Sequence, residues 1–485
     1  FYAVTEEIVG IQGPAYRDRA GRIVNPNLKE SWRSTPFPMP AGVGMYTNLI
    51  QADAARRLGY HPAPVPTSIN SRPYRGRSAC VDCAYCIDFG CPINAKGGGV
   101  WQLQDALATG HAELRADSNV IRLEIAPRRD RTGRFPVTGV TYVDVTGRTR
   151  TERADLVVLA NSPIEATRLS LASGIGVAHP DESHLGSPQP GPYEPSGLLG
   201  RNLMLHLGTV VAALLDSDAH PWRGRNSSHT VDDFAGSGPS PAAFDPQIPR
   251  GGITECGGGL YPIAEALEVA PGLYGASHKA YMQSGVPMNR GISFTLQGED
   301  MPQLTNLVDL DPDVVDVFGE MVPRITYANH PYEVAAADYY TPKLIDIMDA
   351  IGGPGSAYPG VTAGGGFVLP SSTSVPSQKH IMGTHRMALD PEHGPCNPYG
   401  RYWEFSNLYH AGGGLFVTAP GFNPTVTIWA LSYWVAAAIL TGVASLDRFD
   451  STTIDGHWQT LLGVIKRLDP ETMIARVLRG SRFPR

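Results

Sequence analysis

Apolar and polar positions along the chain alternate with two different periods, which predict short strands and a smaller number of helices. Apolar runs bounded by turn residues predict strands over 120–125, 137–145, 156–160, 209–215 and 291–297. Apolar positions on one helical face predict helices over 48–58, 101–107, 164–174 and 331–351. The pattern therefore predicts a mixed chain in which strands and helices follow one another.

The longest apolar stretch, 428–443, follows Pro424 and is shorter than the ~18–20 residues that a membrane span needs. We therefore predict a buried helix there and no membrane span. The 485 residues are enough for two large lobes, and 54 Gly with 42 Pro predict many turns and long loops. A formal net charge of −7 argues against the positively charged surface that binding of nucleic acid requires.

Two short segments near the C-terminus carry candidate chemistry. Residues 380–384 read His-Ile-Met-Gly-Thr, and residues 423–427 read Asn-Pro-Thr-Val-Thr. A histidine such as His380 is suited to take a hydroxyl proton at neutral pH. A helix that opens at Asn-Pro-Thr presents free backbone N–H groups and a positive dipole end to an anion. Asn423 can also serve only as the N-cap of that helix.

The two segments, 423 − 380 = 43 residues apart, resemble the catalytic end of the glucose-methanol-choline (GMC) flavin oxidoreductases. In that family an HxxGT histidine and a second His or Asn before Pro-Thr flank the reactive edge of FAD. Residues 407–414, Asn-Leu-Tyr-His-Ala-Gly-Gly-Gly, resemble the family's strand and flavin-contacting turn. Residues 200–206 resemble its GxNLxDH element, with Leu205 in place of the usual Asp.

The resemblance implies an α/β fold in which an FAD-binding Rossmann-like lobe is interleaved with a substrate lobe on a mostly antiparallel sheet. The domain bounds that we expect are 1–75 (N-terminal segment bridging the lobes), 76–205 (FAD lobe with a Cys-rich loop), 206–374 (substrate lobe), 375–446 (catalytic end of the FAD lobe) and 447–485 (C-terminal extension).

The resemblance also implies which residues contact FAD. The backbone of Val120 is expected at the adenine end, and Ala160 and Asn161 beside the dinucleotide. The residues expected at the isoalloxazine ring are Gly412, Gly413, Asn423, Pro424 and Thr425.

The phosphate-binding G-x-G-x-x-G that such a fold requires is missing from this chain. We therefore expect a partner chain that carries the missing FAD-binding segment; a cleaved or unrecorded segment is the alternative. We expect a cytoplasmic protein, although the sequence opens at Phe1 instead of Met and leaves export open.

Four of the six cysteines, Cys80, Cys83, Cys86 and Cys91, lie within twelve positions and are followed by Pro92. This spacing resembles the ferredoxin run C-x2-C-x2-C-x3-C-P, with one more residue in the last gap, and predicts an iron–sulfur cluster. One or two disulfides, or free thiols that pack the loop, are the alternatives.

Taken with the resemblance, these residues imply FAD-dependent oxidation of an alcohol, with a sugar, glycoside or polyol as the small-molecule donor. His380 would be the base for hydride transfer to flavin N5, and Asn423 would hold the same oxygen. A dehydrogenase is favoured over an oxidase. The alternatives are an electron-transfer subunit, or an oxidase or lyase acting on a long-chain alcohol, sterol or hydroxynitrile.

Overall fold

The fold is described from a computed structural model. It describes residues 1–14, 36–86, 89–181, 183, 185–235, 249–269, 273–368 and 380–445, with isolated positions between 449 and 464. Most of the predicted C-terminal extension, 447–485, lies outside the described residues.

The strands and helices follow the predicted pattern closely. The strands are β1 (Gln12–Gly13), β2 (Met39–Pro40), β3 (Ala63–Pro64), β4 (Asn119–Ile125), β5 (Val137–Val143), β6 (Thr149–Arg153), β7 (Val157–Leu159), β8 (Gly208–Leu214), β9 (His229–Val231), β10 (Thr254–Gly258), β11 (Gly291–Gln297), β12 (Leu307–Val315), β13 (Met321–Thr326), β14 (Phe367–Val368) and β15 (Leu408–His410). The helices are α1 (Tyr2–Val9), α2 (Tyr46–Arg57), α3 (Gly99–Ala108), α4 (Pro163–Ala172), α5 (Pro262–Ala264), α6 (Gly275–Ser284), α7 (Val286–Arg290), α8 (Pro331–Asp349) and α9 (Thr425–Thr441).

A six-stranded sheet in the order β14-β8-β11-β10-β9-β3 forms the larger lobe, and every neighbouring pair in it is antiparallel. Alternate residues of β11 are buried, as the two-residue period of a half-covered strand requires: Ile292, Phe294 and Leu296. These side chains belong to the same core cluster as Leu344 and Ile347 of α8. The prediction of a lobe on a mostly antiparallel sheet is confirmed, and the assignment of this lobe to substrate binding stays a prediction.

The smaller lobe is built around the parallel pair β7–β15 and the antiparallel sheet β4-β5-β6. The helix α4 follows β7 after only three residues, which is the short strand-to-helix connection of a Rossmann-like unit. Its buried Leu169 and Leu171 pack into a core that includes Leu159 and Phe405. The lobe therefore has the mixed α/β character that was predicted.

The apolar helix α9 is less buried than predicted. Its small residues Ala430, Ala437 and Ala438 face the core, whereas Leu440 keeps 67% of its surface exposed. Helix α1 packs against it, and the ring of Phe1 meets that of Trp434 edge to face. No helix among the described residues combines the length and apolar character needed to cross a bilayer.

The buried face of α8 gives a direct test of the core of the larger lobe. Leu344 is fully buried, so Leu344→Ala should lower the free energy of unfolding by about 2–5 kcal/mol through lost apolar burial and the cavity it leaves. The matched control is Leu440→Ala, because Leu440 is also in a helix but is largely exposed. This variant should change the free energy of unfolding by less than about 0.5 kcal/mol. Urea unfolding of both variants measures the difference; equal losses would contradict this core.

Candidate active site

A run of three glycines, Gly412–Gly414, is the point at which the predicted functional segments meet. A Cβ added to Gly413 would lie 2.4 Å from the Ile381 carbonyl oxygen and 3.5 Å from Pro163 Cγ and Ile428 Cδ1. The run therefore touches the HxxGT segment, the first turn of α4 and the first turn of α9. This close approach explains why side chains are absent here, because any Cβ at Gly413 would overlap backbone.

The HxxGT segment is held in place by backbone hydrogen bonds on both sides. Met382 exchanges two hydrogen bonds of 3.0 Å with Met204, so residues 380–384 pair with the 200–206 element. On the other side Gly383 N–H donates to the Gly413 carbonyl over 3.2 Å, and His385 N–H donates to Gly414 over 2.9 Å. Backbone hydrogen bonds therefore join the HxxGT segment directly to the 200–206 element and to the glycine run.

Two helices begin beside the glycine run. Neither α4 nor α9 has a side-chain cap, so their first backbone N–H groups are free to meet an anion. Ala160 and Asn161, before α4, and Thr425, at the start of α9, are exposed, whereas Gly412, Gly413 and Pro424 are buried. The predicted cofactor residues of this group therefore lie around one exposed edge. Val120 stands exposed on β4, the strand that packs on α4.

His380 meets a second histidine that the sequence did not single out as a catalytic candidate. Its Nδ1 lies 3.1 Å from Nδ1 of His206, and the two rings are close to perpendicular, with centroids 5.1 Å apart. His206 is fully buried, and His380 is half-buried. Burial lowers the pKa of His380, and burial together with His380 lowers the pKa of His206 to about 3. Both rings are therefore neutral at physiological pH.

Asn423 does not cap α9. The Pro424 carbonyl accepts the first helical hydrogen bond, from Ile428, so the helix begins one residue later than an Asn423 cap would place it. The side chain of Asn423 instead lies close to the carboxyl of Glu255: burial raises the pKa of that carboxyl, and Gln297 and Asn423 lower it in part.

The loop 419–423 connects the two predicted catalytic residues. The Pro420 carbonyl lies near the His206 ring, and Asn423 stands at the end of the same loop. The loop is fastened to the larger lobe, since Ile253 N–H donates to Gly421 over 2.7 Å and Asp300 N–H donates to Ala419 over 3.2 Å. His380 and Asn423 are therefore supported by one set of contacts between the lobes.

A second pair of histidines lies behind the glycine run. The rings of His385 and His410 are stacked with centroids 4.3 Å apart, and both side chains are fully buried. Burial lowers the pKa of His410 to about 4 and that of His385 well below its usual value. The Thr384 hydroxyl bonds His385 Nδ1 over 2.9 Å. This pair lines the buried side of the site with neutral rings.

The cysteine loop gives the predicted iron–sulfur cluster no support. Cys80, Cys83, Cys86 and Cys91 are all free thiols. Within the described part of the chain, no three Cys, His, Asp or Glu side chains are grouped as metal ligands would be. Burial acts to raise the pKa of Cys91, but hydrogen bonds from the backbone N–H groups of residues 93–96 outweigh it and lower that pKa.

Sequence reasoning missed His206, Asp300 and Glu255 as members of the site. The GxNLxDH resemblance pointed to His206, and the unusual Leu205 pointed to a carboxylate supplied from elsewhere. That carboxylate is Asp300, whose Oδ2 accepts the N–H groups of Leu205 and His206. Glu255 lies on β10, far from Asn423 in the chain, so no local pattern could have indicated it.

Comparisons with known proteins agree with this arrangement. The family model described as GMC oxidoreductase matches residues 302–432. The chain is 28% identical over 466 residues to the gluconate 2-dehydrogenase flavoprotein of Pantoea cypripedii, covering 90% of this chain and 70% of the relative. It is 26% identical over 442 residues to the fructose dehydrogenase large subunit of Gluconobacter japonicus, covering 91% and 72%.

The fold has counterparts among solved structures. The crystal structure of pyridoxine 4-oxidase from Mesorbium loti superposes with a TM-score of 0.51 at 15% identity, covering 83% of this chain and 72% of that one. This likeness concerns the fold alone. The family model, the two relatives and the paired motifs at 380–384 and 423–427 place the chain in the GMC oxidoreductase family.

Proposed function

We propose that this protein oxidises the CH–OH group of a sugar, glycoside or polyol in an FAD-dependent reaction with His380 as the base. The observation that carries the proposal is the junction at Gly412–Gly414, where the HxxGT segment meets the first turns of α4 and α9. FAD supplies the hydride acceptor when it is bound. The steps that follow are those of the chain's own residues.

The residues at the junction fit an anionic cofactor. Two uncapped helix N-termini face the exposed edge formed by Ala160, Asn161 and Thr425, and this edge follows the carboxyl ends of the parallel strands β7 and β15. Ligands of open α/β sheets bind at such edges, and free N–H groups at a helix start favour negative charge. Gly412, Gly413, Asn423, Pro424 and Thr425 would hold the ring end, and Val120 the adenine end.

His380 would remove the hydroxyl proton of the donor. Because its ring is neutral, one nitrogen carries a lone pair that can accept that proton while the electron pair of the O–H bond stays on oxygen. Asn423, whose side chain lies beside Glu255, would donate an amide N–H to the same oxygen and fix the donor carbon.

The class of donor is proposed from the relatives' names. Those names specify gluconate and fructose, which carry several hydroxyl groups. Relatives are named both as dehydrogenases and as oxidases, so the proposal concerns the oxidation of the alcohol and not the electron acceptor. The iron–sulfur cluster is left out of the proposal because the four loop thiols do not converge.

We also propose that a partner chain completes the smaller lobe. Parallel strands are normally covered on both faces, yet Leu156 and Val158 in and beside β7 remain 38% and 39% exposed. Val120 on β4 is exposed to the same extent. A partner that carries the phosphate-binding glycine motif would cover this apolar surface, and one relative is named as a large subunit.

Replacement of His380 tests the base. In the FAD-loaded protein, His380→Ala should slow anaerobic flavin reduction by the donor about 100-fold or more, the usual scale for loss of a general base. The matched control is His393→Ala, because His393 is an exposed histidine that bonds Asp390 and should leave the rate unchanged. Stopped-flow spectroscopy measures both; a near wild-type rate in His380→Ala removes His380 from the role.

The pH profile of the same reaction provides a second arm of this test. Burial lowers the pKa of His380, so the neutral, base-competent form persists below roughly pH 6.5, the ordinary value for histidine. The rate should be constant above that pH and fall only as the solution becomes more acidic than the lowered pKa. A rate that is already falling between pH 8 and 7 would contradict a buried, neutral base.

Gly413 tests the junction itself. A Cβ in Gly413→Ala would displace the Ile381 carbonyl, so the purified protein should retain less than about a tenth of the wild-type flavin, since a shift of this size disturbs every segment at the site. Gly98→Ala is the control, because no atom lies within 4 Å of its added Cβ. Flavin content per chain is measured by absorbance; equal content in both variants would contradict the proposed position of the cofactor.

The mass of the native protein tests whether a partner chain is bound. Size-exclusion chromatography with mass spectrometry should show this chain with a second polypeptide whenever FAD is present, because the apolar surface around β7 needs a cover. A species that contains one copy of this chain alone and binds FAD would exclude the partner.

A further inference from the structure

The contact between His206 and His380 restricts where the protons of the two rings lie. The Nδ1 atoms are 3.1 Å apart, a hydrogen-bonding distance. Two bare lone pairs would repel each other at this distance, and so would two N–H groups. The neutral pair therefore holds a single proton between the two Nδ1 atoms, donated by one ring and accepted by the other.

The backbone of His206 is held in an unusual conformation that fixes this contact. Its φ of 62° lies in the left-handed region, which few residues other than glycine and asparagine adopt. Asp300 Oδ2 accepts the N–H of His206 over 3.0 Å and also that of Leu205. The Tyr327 hydroxyl donates to the same oxygen over 2.7 Å. A buried carboxylate therefore maintains a strained backbone at the residue that faces His380.

The proposed role of His380 as the base decides which histidine donates. His380 Nδ1 faces His206, so Nε2 is the nitrogen that must keep the lone pair, and the proton of the neutral His380 ring lies on Nδ1. His380 then supplies the hydrogen between the rings. The neutral His206 accepts it with a lone pair on Nδ1 and carries its own proton on Nε2.

We propose that His206 is a positioning residue that accepts the Nδ1–H of His380 and so keeps His380 Nε2 unprotonated for the donor hydroxyl. The inference rests on the proposed function of His380. When the donor O–H bond breaks, an N–H bond forms at His380 Nε2, and the electron pair remains on the substrate oxygen. The positive charge gained by His380 is then stabilised by the lone pair of His206 Nδ1. Asp300 acts one step further back, by holding the His206 backbone.

Two substitutions that both suit the left-handed backbone separate positioning from folding. Asparagine tolerates this region and its Oδ1 can accept from His380, whereas glycine tolerates it and offers no acceptor. In the FAD-loaded full chain, His206→Gly should lower the rate of anaerobic flavin reduction roughly 10–100-fold, as loss of an orienting partner does elsewhere. His206→Asn should stay within about threefold of wild type. Equal rates in all three proteins would overturn the inference.

The tautomer of His380 is a readout that does not depend on turnover. Nitrogen-15 NMR of histidine-labelled, FAD-loaded protein, with His380 assigned from its loss in His380→Gln, should show His380 protonated at Nδ1 in the wild type and in His206→Asn. In His206→Gly the resonance should move toward the Nε2-protonated form. A wild-type His380 protonated at Nε2 would overturn the proposal.

The proposed function of His380 and the positioning role of His206 can fail separately. If no alcohol reduces the flavin of the wild-type protein, the proposed function fails, while the NMR result still decides the state of the pair. If the wild type is reduced but neither its rate nor the His380 tautomer responds to His206→Gly, the proposed function stands and the inference about His206 is wrong.

Discussion

The site depends on the close contact between the backbone of Gly413 and the backbone of Ile381. No side chain fits between this residue and Ile381, so the HxxGT segment, the strand β15 and the starts of α4 and α9 can be stacked directly. Protein interiors transmit small displacements because they are closely packed, so the position of His380 is tied to that of the glycine run. The hydrogen bonds from Gly383 and His385 to the run hold the same arrangement from the other side.

Burial then determines the charge state of the site. The four histidines at the site, His206, His380, His385 and His410, all have lowered pKa values, with burial as the largest cause. Neutral rings can serve as acceptors and donors without bringing a charge into a desolvated pocket, where an unpaired charge is costly. The acidic groups behind them are affected in the opposite direction: burial, and then Asp300, raise the pKa of Glu333 to about 8.

Local pattern was enough to predict several of the longer elements and the segments that carry the chemistry. The strands over 120–125 and 291–297 and the helix α8 lie within one or two residues of their predicted bounds, because apolar periodicity sets them. Contacts distant in sequence escaped prediction. The contacts of Asp300 with His206 and of Asn423 with Glu255 form only after the two lobes pack, and Pro424 takes the place of Asn423 as the residue before α9.

The central claim is that this junction performs alcohol oxidation with His380 as the base. Its most direct test is anaerobic mixing of the FAD-loaded protein, with any partner chain present, with gluconate, fructose and a panel of other sugars and polyols, each unlabelled and deuterated at the reacting carbon. The account predicts that at least one donor bleaches the flavin and that deuterium slows the bleaching, because the C–H bond breaks in that step. A flavin that stays oxidised with every donor would contradict it.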